Sequence, residues 1–265
     1  MIRKRPTVAE LRAMKGKTQL TMLRYFTIDE ATAAEAAKID IASVPPSLAS
    51  DPRYRSAAPG VFTMTGKTHL EYGAPDEYLR FSGQMLEAGA DAIYCSGSLA
   101  TVNYLAREYI PVVGHVGLVP ARATWTGGYR AVGKTAKGAL ALYDECRRYQ
   151  EAGAFAVEIE VVPAEVATAI SSRLDLLLWS MGSGSGCDAQ YLFAEDILGE
   201  NRGHVPRHAK VYRNFAAEYD RLQQERVAAF SEFRADVEKG AFPEARHVLK
   251  MDSRELDLFM EAIGK

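Results

Sequence analysis

Short apolar runs alternate with stretches of helical periodicity from the N-terminus of the chain to residue 199. Seven of these runs have the length and apolar content of buried strands. They are residues 19–25, 39–44, 61–65, 92–95, 111–115, 156–161 and 176–180. Strands that alternate with helices form βαβ units, which place the strands side by side in a parallel sheet. The pattern therefore predicts an α/β fold.

Helical periodicity covers most of the segments between these runs. It is found in residues 7–15, 31–37, 75–88, 99–108, 137–151, 164–173 and 188–198. Thr7 with Glu10, and Thr27 with Glu30, have the spacing of capping boxes at helix N-termini. About seven strands in a chain of 265 residues suit a (β/α)8 TIM-type barrel, and a doubly wound open sheet is the alternative. We expect the barrel, as a single domain over residues 1–265.

Two further features modify this barrel. Residues 45–60 (PPSLASDPRYRSAAPG) are rich in Pro, Ser and Ala without a clear period, which predicts a loop with at most one helical turn. From about residue 211 the chain continues as a helical extension, with predicted helices over 211–239 and 253–263. The aromatic residues of the first of these helices suit either packing on the barrel or a subunit interface. The sequence of this helix leaves both alternatives open.

Composition excludes several classes of protein. The chain is 48% hydrophobic and 25% charged with a formal net charge of −2, as is usual for globular proteins. No apolar run approaches the roughly 20 residues that span a bilayer, and no secretory signal is visible, so no membrane partner is expected. Three widely spaced cysteines argue against a disulfide framework and fit a reducing cytoplasm. With mixed charge and a pI near 6.2, no nucleic-acid partner is expected.

Candidate functional residues follow from the barrel itself, because active sites of such barrels lie at the carboxyl ends of the strands. The polar side chains near predicted strand ends are Tyr25, Ser43, Thr65, Ser96, His115, Glu160 and Ser180. Of the two glutamates on the sixth strand, we expect Glu160 to face the site and the other to face solvent or a helix. Without further context, the favoured interpretation of His115 is a core histidine that is hydrogen-bonded. The alternative for Glu160 is a structural ion pair.

Three segments of the chain resemble ketopantoate hydroxymethyltransferases. They are residues 110–120 (IPVVGHVGLVP), residues 153–163 (GAFAVEIEVVP) and residues 181–210, which begin with MGSG. They occur in the family's order, and the resemblance extends over roughly residues 15–247. It implies a (β/α)8 barrel of the phosphoenolpyruvate/pyruvate superfamily.

The resemblance also implies a reaction, in which a hydroxymethyl group is added to the small oxoacid 3-methyl-2-oxobutanoate. This family takes the one-carbon unit from methylenetetrahydrofolate, uses Mg²⁺ to polarise the oxoacid, and is oligomeric. The resemblance therefore favours a subunit interface for the first helix of the extension, and we expect a homo-oligomer. The matching positions make Glu160 the catalytic acid/base and place His115 at the substrate, with the backbone of Gly182 and Gly184 lining the pocket. A base beside a carbonyl, with a cation that holds the developing oxyanion, is the logic of enolate chemistry.

The sequence departs from the family at the metal site. Ser43 stands in the segment that carries the first aspartate ligand, Gly66 stands at the second, and residues 94–97 (YCSG) replace the family's Lys-Ile-Glu-Gly. Since Mg²⁺ prefers sites with one or two carboxylates, we expect no family-type Mg²⁺ site. We expect Ser43, Tyr94 and Ser96 to contact substrate instead.

Cationic side chains are the candidates to compensate for the missing metal. Arg24 lies near the end of the first strand, and Lys67 and His69 follow the third. A fixed cation can hold a carboxylate or an enolate, and arginine does so with two parallel hydrogen bonds.

Two more consequences follow from the comparison with the family. Residues 45–60 are too few for a full helix with its loops, so the second barrel helix is expected to be missing or shortened. The altered site leaves three functions open. They are the family's hydroxymethyl transfer, a metal-independent aldolase or lyase acting on another keto compound, and a non-catalytic paralogue that binds a ligand.

Overall fold

A computed structural model describes residues 3–67, 71–72 and 74–264 of the chain. Within these ranges eight parallel strands close into a barrel in which each strand pairs with the next and the last pairs with the first. The strands are β1 (Leu20–Arg24), β2 (Ile41–Val44), β3 (Phe62–Thr65), β4 (Ala92–Tyr94), β5 (Val112–Gly117), β6 (Ala156–Glu160), β7 (Leu177–Met181) and β8 (Ala189–Phe193). The predicted (β/α)8 fold is confirmed.

Helices connect the strands and surround the barrel. They are α1 (Val8–Met14), α2 (Ile28–Ala36), α3 (Pro46–Ala49), α4 (Tyr54–Ala57), α5 (Pro75–Glu87), α6 (Leu99–Arg107), α7 (Ala123–Thr126), α8 (Ala136–Glu151), α9 (Ala164–Ser171) and α10 (Ala194–Leu198), with a 3₁₀ turn at Pro120–Arg122. Both predicted capping boxes are present, at Thr7 with Glu10 and at Thr27 with Glu30. Each box satisfies backbone donors that would otherwise lack a partner at the helix N-terminus.

The connection from β2 to β3 contains no full helix in the described chain. It forms two four-residue helices, α3 and α4. The predicted shortening of the second barrel helix is confirmed, but the connection has two short helices where at most one helical turn was expected. Side-chain hydrogen bonds hold this connection against the barrel in place of a full helix. The Tyr54 hydroxyl bonds the hydroxyls of Tyr25 and Thr63 at 3.0 and 2.9 Å, and the Arg55 guanidinium donates to the Val61 carbonyl at 3.0 Å and to the Asp91 carboxylate at 3.0 Å.

The eighth strand lies inside a segment that periodicity assigned to a helix. Residues 188–198 were predicted as one helix, but Ala189–Phe193 form β8 and only Ala194–Leu198 are helical. This prediction was wrong because β8 closes the barrel, pairing with both β1 and β7. Tertiary pairing and the burial of Tyr191 therefore override the local helical pattern.

Strand register brings the acidic residues of β6 to the inside of the barrel. His115 is paired with Glu158, and Gly117 is paired with Glu160. Residues two apart on a strand point to the same side. Glu158 and Glu160 therefore share a face, and the expectation that one of them faces solvent or a helix was wrong.

The close packing of β5 against α8 gives a prediction for stability. A Cβ added at Gly114 would lie 2.4 Å from Cε1 of Tyr149, whereas a Cβ added at Gly83, exposed within α5, would meet nothing within 4 Å. We expect Gly114→Ala to destabilise the fold by about 1–3 kcal/mol through overpacking. We expect the control Gly83→Ala to stabilise it by about 1 kcal/mol through helix propensity. Urea unfolding followed by circular dichroism measures both, and equal midpoints for the two variants would contradict this packing.

The chain divides after Arg213 into two compact units, and the second begins at Asn214. The second unit holds α11 (Phe215–Glu238), a 3₁₀ turn at Ala245–His247 and α12 (Ser253–Ala262). Large apolar side chains of α11 are exposed, including Phe230 and Phe233. The predicted subunit interface and homo-oligomer stay predictions. None of the described helices combines the length and apolarity needed to cross a membrane.

Candidate active site

A cavity of about 410 Å³ opens at the carboxyl ends of the barrel strands. It brings together seven of the residues predicted from the sequence and several that were not predicted, among them Glu158 and Tyr191. The predicted residues are Arg24, Ser43, Lys67, Tyr94, Ser96, His115 and Glu160. His69 lies outside the described residues. Because these side chains come from strands β1 to β6 or the turns after them, the barrel holds them together at one end.

The centre of the cavity is an imidazole between two carboxylates. Nε2 of His115 lies 3.0 Å from Oε2 of Glu160, and Nδ1 lies 3.6 Å from Oε2 of Glu158. His115 and Glu158 are both 4% exposed, and the Glu160 side chain is 13% exposed. Three groups that can carry or release protons are thus held within a few ångströms of each other.

Tyr94 determines how His115 carries its proton. The Tyr94 hydroxyl lies 2.8 Å from Nδ1, and burial raises the pKa of this tyrosine well above its usual value. The hydroxyl therefore keeps its proton and is able to donate it to Nδ1, and in that tautomer the hydrogen of a neutral imidazole lies on Nε2. Nε2 is buried without a hydrogen-bond partner among the described residues, since Glu160 lies out of line with the N–H bond. This nitrogen is available to a ligand.

Glu158 is a buried carboxyl group with an unusual protonation equilibrium. Burial raises its pKa to about 7, and the nearby charge of Glu160 adds to this effect, whereas His115 and Arg24 oppose it. Near neutral pH the carboxyl group therefore exists in both protonation states. Sequence reasoning missed Glu158, although the period-two rule for strands already places it on the same side as Glu160.

Arg24 supplies positive charge on the opposite wall. Its Nη1 donates to the Ser43 hydroxyl at 3.0 Å, and its guanidinium carbon lies 5.3 Å and 5.8 Å from the ring centres of Phe26 and Phe193. The buried Tyr191 hydroxyl also interacts with Arg24 and Ser43. No carboxylate among the described residues lies within ion-pair distance of Arg24. A half-buried guanidinium without an anionic partner is suited to bind the carboxylate of a ligand.

The other cationic candidate is less suited to this task. Lys67 lies at the rim with 43% of its side chain exposed, and its Nζ is 3.5 Å from Oε2 of Glu71. Its charge is thus already compensated and solvated. Ser96 is buried directly after β4 and contributes a hydroxyl to the cavity.

The glycine-rich turn after β7 is not part of the cavity lining that the described residues form. Gly182 and Gly184 adopt φ values of 69° and 84°, a backbone region that favours glycine. The Gly184 carbonyl accepts hydrogen bonds from Ser180 Oγ at 2.8 Å and Gln190 Nε2 at 2.9 Å. A Cβ at Gly184 would lie 2.4 Å from that of Ala164. The structure therefore gives these glycines a role in a tight turn and does not bring them to the predicted ligand.

The donor set of the cavity does not fit the Mg²⁺ ion that the family resemblance implies. Mg²⁺ prefers oxygen ligands, generally with one or two carboxylates. Here the Ser43 hydroxyl accepts from a guanidinium, so a positive charge already lies beside this position. The carboxylates of Glu158 and Glu160 face His115. Across the described ranges, no group of three His, Cys, Asp or Glu side chains could hold a metal ion.

The fold and the cavity define a (β/α)8-barrel enzyme whose acid–base groups lie at the carboxyl ends of the strands. A sequence profile described as ketopantoate hydroxymethyltransferase matches residues 54–245. The 3-methyl-2-oxobutanoate hydroxymethyltransferase of Nitratidesulfovibrio vulgaris is 31% identical over 283 residues, covering 98% of this chain and 90% of that protein. The enzyme of the same name from Thermotoga neapolitana is 32% identical over 264 residues, covering 91% and 95%. The chain therefore belongs to the ketopantoate hydroxymethyltransferase family.

Solved structures with a similar fold are more distant in sequence. A 2,3-dimethylmalate lyase of the PEP mutase/isocitrate lyase superfamily is 12% identical with a TM-score of 0.51, covering 98% of this chain and 100% of that chain. An oxaloacetate acetylhydrolase in complex with the product oxalate is 13% identical with a TM-score of 0.55, covering 88% and 97%. At this level of identity the likeness shows the barrel fold.

Proposed function

We propose that this enzyme forms or breaks a C–C bond beside the carbonyl group of a small 2-oxoacid, with hydroxymethyl transfer to 3-methyl-2-oxobutanoate as the first candidate. The observation that carries the proposal is the contact of His115 Nε2 with Glu160 Oε2 at 3.0 Å inside the cavity. A base and a hydrogen-bond donor next to each other can remove a proton beside a carbonyl group and stabilise the resulting oxyanion. Family membership supports the same chemistry.

The proposed reaction has two stages. Glu160 takes the proton from C3 of the oxoacid, and the electron pair of that C–H bond forms the C2=C3 double bond of the enolate. His115 donates from Nε2 to the carbonyl oxygen, which carries the developing charge. C3 then attacks the carbon of formaldehyde, or of an equivalent donor, so that a new C–C bond forms and the C2 carbonyl group is restored. The π bond of the formaldehyde C=O breaks, and its oxygen takes the proton held by Glu160 to give the hydroxymethyl group.

Arg24 is proposed to hold the carboxylate of the oxoacid. Its position beside Ser43 and between two aromatic rings fixes the guanidinium plane. Two parallel hydrogen bonds from the guanidinium orient a carboxylate and thereby fix the positions of the carbon atoms attached to it. We propose that the hydroxyls of Ser43, Tyr94 and Ser96 line the bound substrate, with Lys67 at the rim.

The one-carbon donor is proposed from the family alone. Hydroxymethyl transfer requires a donor of one carbon, and methylenetetrahydrofolate remains the predicted donor. Free formaldehyde carries the same carbon at the same oxidation level and is therefore a suitable first probe.

The proposed function is tested by following the new C–C bond directly. The enzyme is incubated with 3-methyl-2-oxobutanoate and ¹³C-formaldehyde in the presence of EDTA, and carbon NMR follows the hydroxymethyl product. We expect product formation in EDTA, with methylenetetrahydrofolate as a second donor in parallel. Binding of the oxoacid without any turnover would overturn the proposal and favour a non-catalytic paralogue.

A second candidate function is favoured by the altered donor set. Because a guanidinium and hydroxyl groups stand where the family is expected to have carboxylates, the cavity also suits a metal-independent aldolase or lyase acting on another keto compound. Release of an aldehyde in EDTA from a hydroxylated oxoacid other than the family product, without activity on 3-methyl-2-oxobutanoate, would favour this alternative.

A further inference from the structure

A second carboxyl group of the cavity has no task in the reaction proposed above. Glu158 is 4% exposed, lies on the same face of β6 as Glu160, and is paired in register with His115 on β5. The barrel therefore holds this side chain on the far side of the imidazole from Glu160. Burying an ionised carboxyl group lowers the stability of a fold unless the group is paired. A function for Glu158 in the cavity would explain why it is buried here.

The two ring nitrogens of His115 face different groups. Nε2 is directed at Glu160 and the cavity, whereas Nδ1 is directed at the Tyr94 hydroxyl and at Oε2 of Glu158, 3.6 Å away. An imidazole that releases a proton from one nitrogen can regain one at the other nitrogen. Nδ1, which faces away from the proposed substrate, thus lies near Glu158, whose carboxyl group is able to supply the proton.

We propose that Glu158 is a positioning residue that supplies a proton to His115 when His115 protonates the substrate oxygen. The inference rests on the proposed function, because it requires an oxyanion to form at Nε2. It concerns a residue to which the family resemblance assigns no role.

The proton and electron balance of the step is complete. Glu160 takes the C3 proton, and the carbonyl oxygen of the substrate takes the proton of His115 Nε2. The Tyr94 hydroxyl turns its hydrogen away from Nδ1 and becomes an acceptor, and Nδ1 receives the proton of the Glu158 carboxyl group, which becomes a carboxylate. When C3 attacks formaldehyde and the C2 carbonyl group forms again, the enol proton returns to Nε2, and the Nδ1 proton returns to Glu158. The oxygen of the former formaldehyde takes the C3 proton from Glu160, which becomes a carboxylate again. No oxidant, reductant or additional reactant is needed.

Several groups surround Glu158 and act on its ionisation. They are Arg24 on β1, Tyr94 on β4, His115 on β5, Glu160 on its own strand β6 and Tyr191 on β8. Burial is the largest influence and raises the pKa of Glu158 to about 7. The protonated form that the relay needs is therefore present below neutral pH and is lost as the pH rises through 7. Since the groups interact, the observed ionisation belongs to the cluster as a whole.

The experiment is the exchange of the C3 hydrogen of 3-methyl-2-oxobutanoate for deuterium, measured by proton NMR between about pH 5.5 and about pH 8.5. We expect the wild-type rate to fall as the pH rises through 7. We expect Glu158→Gln to lose about tenfold or more in rate below that pH and to show no decline through it, because an amide cannot release a proton. Glu158→Asp keeps a carboxyl group, so we expect it to retain the decline and part of the rate. The matched control is Glu165→Gln, an exposed glutamate at the start of α9, which should leave the profile unchanged.

Calorimetric titration with the oxoacid separates this inference from the proposed function. A Glu158→Gln enzyme with the wild-type rate and the wild-type decline would overturn the inference and leave the proposed function intact. A wild-type enzyme that binds the oxoacid but exchanges no deuterium at any pH would overturn the proposed function. If Glu158→Gln does not fold, Glu158→Asp serves as the test. Its carboxyl group lies farther from His115 because the side chain is shorter, and a wild-type rate for this variant would also overturn the inference.

Discussion

Replacing Glu160 with glutamine is expected to lower the rate of C–C bond formation about a hundredfold or more, which is the usual contribution of a positioned general base. The amide has nearly the same shape as the carboxylate, but it cannot accept the C3 proton of the oxoacid. The side chain lies at the end of β6, 3.0 Å from His115 Nε2, and is only 13% exposed.

Substrate binding should be affected far less than the rate. Because Glu160 acts on the reacting carbon and not on the carboxylate of the oxoacid, we expect the Kd of 3-methyl-2-oxobutanoate to stay within about threefold of the wild-type value. Carbon NMR of the product measures the rate, and titration calorimetry measures the Kd. Glu165→Gln serves as the control. If Glu160→Gln retained more than about a tenth of the wild-type rate, Glu160 would not be the base.

Replacing Arg24 with glutamine is expected to weaken binding of the oxoacid roughly ten- to hundredfold, the range for loss of a charge-assisted hydrogen bond. The guanidinium has no carboxylate partner among the described residues, and it is held by Ser43 and two aromatic rings. Its charge is therefore free for a ligand. Arg24→Lys keeps the charge but not the planar pair of donors, so we expect an intermediate affinity.

The uncharged analogue 3-methylbutan-2-one makes this test specific. It has the ketone and the branched carbon of the oxoacid but lacks the carboxylate. We expect its affinity to be the same in wild-type enzyme and in Arg24→Gln, as measured by titration calorimetry in EDTA. Equal affinity of the oxoacid for both enzymes would show that Arg24 does not bind the carboxylate. A loss of affinity for the ketone as well would indicate a distorted cavity.

The barrel was predictable because each strand except one has its own apolar run. The exception is β8, whose sequence Ala189–Phe193 leads directly into the helix Ala194–Leu198. A short strand and a helix without a turn between them look like one helical segment. Only the pairing with β1 and β7 decides the structure of residues 189–193, and this pairing is not visible in the local sequence.

The cavity residues that lie at the ends of recognisable strands could be predicted from the sequence. His115, Glu160, Ser43 and Arg24 lie at or near strand ends and meet in the cavity. Tyr191 was missed because its strand was not recognised. Glu158 was missed although the period of two residues along a strand places it beside Glu160.

Other features of the site depend on geometry that a sequence does not contain. The glycines at 182 and 184 indicate a tight turn, but not whether its backbone faces the cavity. Lys67 and Arg24 are both cations near strand ends. Lys67 faces a carboxylate at 3.5 Å, whereas Arg24 has none within ion-pair distance in the part of the chain that the structure describes. The ionisation of Glu158 depends on burial by several strands at once.

The central claim is that the side chains of this cavity, without a divalent ion, remove a proton beside the carbonyl group of a 2-oxoacid. It is tested most directly by incubating the wild-type enzyme with 3-methyl-2-oxobutanoate in deuterium oxide and EDTA, without a one-carbon donor, and following the C3 hydrogen by proton NMR. We predict loss of the C3 proton signal at a rate proportional to the enzyme concentration. Exchange that takes place only when Mg²⁺ is added in excess of EDTA would contradict the claim.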